Sequence, residues 1–65
     1  MPFPDDALST DALLAELVLL GMAITRSLAR RDAVVALAHL SACERHITTI
    51  KARVHAIAAA DEVAS

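Results

Sequence analysis

His39, Cys43 and His46 stand four and three residues apart in His39-Leu40-Ser41-Ala42-Cys43-Glu44-Arg45-His46, a spacing that sets all three side chains on one face of a helix. Imidazole and thiolate are good ligands for zinc or copper, so this triplet is where the residue types could hold a metal. A closed tetrahedral site needs a fourth ligand. The adjacent positions on the other helix that the sequence predicts are Leu, Gly and Met, with no carboxylate or imidazole among them. Packing is therefore the favoured reading: Cys43 fills an apolar row as a small core residue, and the two histidines flank that row at its solvent edge. No metal and no cofactor is expected, with His39, Cys43 and His46 as the weak metal candidates.

Other chemistry has less support. His55 falls on the outer face beside Lys51 and reads as a solvated residue. The chain has no nucleophile–base pair, no glycine-rich phosphate loop, no paired carboxylates and no dinucleotide fingerprint. A chain this small also offers little concave space in which to desolvate a substrate. The expectation is a protein that is not an enzyme. Arg26, Arg30, Arg31, Arg45, Lys51 and Arg53 are the possible nucleic-acid contacts, but they scatter over several faces, lack interleaved aromatics and sit in a chain of net charge −2. A solvated charged surface is the better reading.

The elements that carry these residues are helical. Hydrophobic residues make up 57% of the 65, there is one glycine, and no strand-like alternation appears, so the class is all-α. In the second half Ala36, Leu40, Cys43, Ile47, Ile50, Val54 and Ile57 follow an alternating four–three spacing. That repeat packs one helix lengthwise on another. Leu28, Ile24, Leu20, Leu17 and Leu13 supply a matching row in reverse order. Folding back near Arg31 pairs Leu28 with Ala36, Ile24 with Leu40, Leu20 with Cys43, Leu17 with Ile47 and Leu13 with Ile50.

The predicted organisation is an extended arm over residues 1–8, an antiparallel two-helix hairpin over residues 9–60 with helices at about 9–30 and 32–60, and a frayed tail at 61–65. Pro2 and Pro4 keep the arm out of helix. Ser9 is the expected N-cap of the first helix and Asp32 of the second. With no Gly, Pro or Asn after Met22, a single unbroken helix is locally possible; the hairpin is preferred because it hides both apolar rows at once.

A hairpin of this size buries only about 60% of its unfolded surface and needs a further stabilising device. A single cysteine, Cys43, excludes an internal disulfide and suggests a reducing compartment. The first helix is apolar over roughly 220°, where a surface helix needs about 100°. A second copy or another protein must cover the rest. A homodimer forming a four-helix bundle is the expected assembly. Gly21, at the border of that face, is either tolerated drift or a point of close helix approach.

The acidic, proline-bearing N-terminus is unlike a signal peptide, and the longest apolar run, Ala12 to Ile24, is short for a bilayer span. A cytoplasmic protein with no membrane partner is expected. Leu19, Val34, Val35 and Leu37 lie off the paired rows, and Phe3 is the sole aromatic; these are the expected partner-binding residues. In size and hairpin plan the chain resembles the small dimeric helical-hairpin regulators of plasmids and phages, among them the Rop-type RNA-binding bundle. The resemblance is of architecture, with no motif to carry over. The functional expectation is a small regulatory protein acting by protein–protein interaction, for example an anti-activator that sequesters a transcription regulator. The alternatives are a metal-binding bundle through His39, Cys43 and His46, or an adaptor subunit of a larger helical assembly.

Overall fold

A computed structural model describes residues 8–64 and shows two helices, α1 (Thr10–Ala29) and α2 (Ala33–Ala64), with no strand among the described residues. The arm assigned to residues 1–8, Leu8 apart, and with it Phe3, lies outside the described residues. α1 starts where Ser9 caps it: the Ser9 Oγ accepts from the Ala12 N–H at 3.1 Å, and Asp11 places a carboxylate in the first turn. α2 extends through Ala64, past the end expected near residue 60, on a run of alanines that favours helix.

The reversal needs no glycine. Arg31 takes a left-handed backbone conformation, φ 57°, and two hydrogen bonds close the turn behind it. The Arg31 N–H donates to the Leu28 carbonyl at 3.0 Å and the Asp32 N–H to the Ser27 carbonyl at 2.9 Å. That pair is the Schellman arrangement, which satisfies carbonyls left over at the end of α1. Asp32 then starts α2: its Oδ1 accepts from the Val35 N–H at 3.2 Å and its carbonyl from the Ala36 N–H at 3.1 Å. One helix ends and the next begins within three residues.

The far end of the hairpin is tied by Arg53, whose Nη1 donates to the Thr10 Oγ1 at 3.2 Å. Stepping three then four residues in opposite directions from that pair gives Leu13 with Ile50, Leu17 with His46, Leu20 with Cys43, Ile24 with His39 and Ser27 with Ala36. Every one of these residues is buried or half-buried, so the seam follows this register. Leu13 is fully buried, and Ala36 retains 3% exposure.

The expected seam is thereby corrected. Leu20 with Cys43 and Leu13 with Ile50 stand as anticipated, but α2 presents His39, His46 and Arg53 to α1 in place of Leu40, Ile47 and Val54. Those three apolar side chains are 44%, 45% and 54% exposed, and Ile57 is exposed as well. On α1, Ser27 replaces Leu28 in the row. The two candidate rows of α2 share Ala36, Cys43 and Ile50 and differ by a small rotation about the helix axis, so hydrophobic spacing cannot separate them. The turn can. A reversal this short fixes the rotation at which α2 leaves it, and Ser27 and Ala36 are small enough to let the helices approach beside it.

Candidate functional site

The polar residues in the seam are provided for. Ser27, 6% exposed, donates its hydroxyl to the Ala23 carbonyl at 2.9 Å within its own helix. Among the described residues no buried side-chain nitrogen or oxygen lacks a hydrogen-bond partner. A satisfied polar group costs little inside a protein, whereas an unsatisfied one costs about 1–3 kcal/mol.

Of the metal candidates, His46 is buried and His39 and Cys43 are half-buried, all three in the row facing α1. The histidines thus sit in the seam, not at its solvent edge. The positions opposite them are Ile24, Leu20 and Leu17, which offer no donor atoms. No group of three or more His, Cys, Asp or Glu among the described residues converges as a metal site would. Cys43 carries a free thiol. His55 lies exposed on α2, beside Lys51 as expected. A shallow depression lined by Ser41, Glu44, Arg45, Thr48 and Thr49 draws all its lining from α2, so α1 supplies no second wall.

The surface is more informative than the interior. Helices are right-handed, and in an antiparallel pair the side reached by stepping one residue beyond a seam position is the same side of the hairpin for both. On α1 that step gives Leu14, Val18, Gly21, Thr25 and Leu28; on α2 it gives Leu37, Leu40, Glu44, Ile47, Lys51 and Val54. Met22 extends the α1 part. All of the large apolar side chains in this set are exposed. Thr25, on the same side, donates its hydroxyl to the Gly21 carbonyl at 3.0 Å. A Cβ placed on Gly21 would meet nothing within 4 Å, so the hairpin's own packing does not require glycine there. One long face of the hairpin is apolar from end to end, broken on α2 by Glu44 and Lys51.

The expected partner residues are placed differently from one another. Val34, 79% exposed, stands on the outer side of α2 just after the turn, and Leu37, 63% exposed, begins the apolar face on α2, with Leu28 across the reversal on the same face. Val35 is less exposed and turns toward the opposite flank. Leu19 is exposed midway along α1 on that flank, apart from the others. Reading Leu40, Ile47, Val54 and Leu28 as core concealed the long apolar face. The signal that could have found it is the pair of overlapping rows on each helix, offset by one residue.

α1 has a further property: it is 20 residues long and contains an 18-residue stretch of mean hydropathy 1.7, 11% of it buried, so by length and composition it could cross a membrane. The apolar run expected to fall short is lengthened by the flanking Thr10, Asp11 and Thr25–Ala29, which the helix includes. Core helices of soluble proteins pass the same test. Compared with models of known protein families, with curated proteins and with solved structures, the chain matches none.

Proposed function

We propose that this chain is a small non-enzymatic regulatory protein that works by protein–protein interaction. In this reading it self-associates as a homodimer of hairpins and offers the apolar surface after the turn to a helical element of another protein, occluding that protein's own interface as an anti-activator of a transcription regulator does. The observation that carries it is the imbalance of apolar surface. Among the described residues the buried hydrophobic side chains are Leu13 and Ala36, while Val34, Leu37, Leu28, Val18 and others lie more than half exposed. Exposed apolar area on this scale marks an interaction surface, and a helix face of spaced aliphatic anchors is suited to another helix.

The test is capture from the native host with wild type beside a Val34→Glu variant, followed by titration of the purified partner against both. Val34 is exposed on the outer side of α2, so the fold should survive the change. The partner should bind wild type and lose at least roughly tenfold in affinity to the variant, as expected when a charge is forced into an apolar contact. Equal affinity for both chains would rule out this surface as the regulatory site.

A further inference from the structure

The open row of α2 is close to symmetric about its centre. Leu40, Glu44, Ile47, Lys51 and Val54 are spaced four, three, four and three, so reversal about Ile47 exchanges Leu40 with Val54 and brings Glu44 to within one residue of the place of Lys51. All five are exposed and share one side of the helix. We propose that the occupant of this face is a second copy of the chain, docked across a two-fold axis that passes beside Ile47 at right angles to the helices. The proposal rests on the self-association read above and specifies which residues meet.

An isologous interface brings residue i against residue j and j against i. With α2 antiparallel to its counterpart and centred on Ile47, Leu40 meets Val54 of the other copy, Ile47 meets Ile47, and Glu44 meets Lys51 twice over. The charges that interrupt the apolar face on one protomer are thereby neutralised by the second. A parallel arrangement would instead set Glu44 against Glu44 and Lys51 against Lys51. Centring on Ile47 also places the axis near the middle of Ala33–Ala64, so α2 overlaps its counterpart along almost its whole length.

α1 gives an independent check. By the hairpin register the same axis crosses α1 between Leu14 and Val18, and the symmetry then brings Leu14 of one copy to Val18 of the other, apolar on apolar. It also carries the basic turn, Arg30 and Arg31, alongside the acidic end of the second α2, Asp61 and Glu62. Antiparallel helices align their macrodipoles favourably in addition. The result is a four-helix bundle in which each α2 has the other as a neighbour, distinct from stacking each α1 on the opposite α2.

Charge exchange distinguishes this interface from other occupants of the face. Glu44→Lys sets lysine against lysine in both pairs and Lys51→Glu sets glutamate against glutamate. In sedimentation equilibrium at low salt, each single variant should dissociate at least roughly tenfold more readily than wild type. Mixing the two single variants should restore a heterodimer, since each then supplies what the other lacks, and the Glu44→Lys, Lys51→Glu double variant should dimerise like wild type. In a Cys43→Ala background, Ile47→Cys should oxidise to a covalent dimer, because two cysteines beside a two-fold axis lie within disulfide reach. Leu19→Cys, on the other flank, should not. Singles that associate as wild type does, or no recovery on mixing, would overturn the axis. A chain that stays monomeric and floats with anionic phospholipid vesicles would overturn the second copy in favour of a membrane surface. A monomer that still captures a protein through Val34 would overturn this dimer and the self-association in the regulatory reading, and would leave only its docking surface standing.

Discussion

Two rows of α2, one turned inward and one outward, reverse the usual relation between burial and polarity. Ala36, His39, Cys43, His46, Ile50 and Arg53 face α1, and Leu40, Ile47 and Val54 face away. The inward row is the smaller and more polar. A core of this kind gains less from removing apolar area than a leucine seam would, at about 25 cal/mol per Å2. What it gains is close approach and direction: small side chains beside the turn, a directed hydrogen bond from Arg53 to Thr10 at the other end. The larger hydrophobic contribution is left on the outside. The side of α2 that holds the hairpin together and the side open to a further contact are therefore different sides of the same helix.

The comparison can be broken most severely at Leu13. It is the fully buried large side chain of the seam, and Leu13→Ala should cost about 2–5 kcal/mol, enough to unfold much of a small chain in a urea titration followed by circular dichroism. Asp32→Ala removes the cap that starts α2 and loosens the turn that chooses the inward row; a loss of about 1 kcal/mol is expected, measured in the same titration. Gly21→Ala acts in the other direction. With open space at its Cβ, the substitution should stabilise α1 by roughly 0.8–1 kcal/mol in dilute solution, seen as a raised midpoint.

Ile47→Ala sharpens the contrast. On an exposed row it should change the stability of dilute protein by no more than about 0.5 kcal/mol, yet lower the midpoint clearly at high concentration, where association adds to stability. An equal loss at all concentrations would place Ile47 in the hairpin core. Smallest of all, Cys43→Ala should destabilise mildly, and a chelator should shift the melting curve of neither wild type nor variant. A zinc-dependent rise in the wild-type midpoint would give the seam a metal after all.

The helical class, the fold-back near Arg31 and both caps were legible because each rests on local chemistry: a four–three repeat, a serine ahead of an apolar run, an aspartate after paired arginines. The identity of the inward row was not. Leu40 and His39 are neighbours in sequence, and an apolar arc wider than one neighbour can cover permits contact along either edge. Hydrophobicity favoured Leu40, Ile47 and Val54, whereas the backbone of a three-residue reversal favoured His39, His46 and Arg53. The left-handed Arg31 that controls this gives no compositional sign, since glycine is the residue by which such a turn is normally recognised. The partner residues follow the same division. The exposure of Val34 and Leu37 was readable from their place off the repeat, but the open face was hidden by its resemblance to a core.

The unequal lengths of the helices have a consequence for motion. Thr10, the first residue of α1, is tied to Arg53, so Val54–Ala64 runs on for three turns beyond the first turn of its neighbour. Backbone amides there are held by the helix's own hydrogen bonds, and α1 does not run beside them, so they open at lower free-energy cost than amides in the seam. Exchange with deuterated solvent should be slow around Leu13 and Ile50 and grow faster along the overhang. In the two-fold pairing this overhang lies beside the turn-proximal half of the other α2. Its exchange would then slow as protein concentration rises, from the fast rates of an overhang that α1 does not cover, so that the last three turns would report assembly directly.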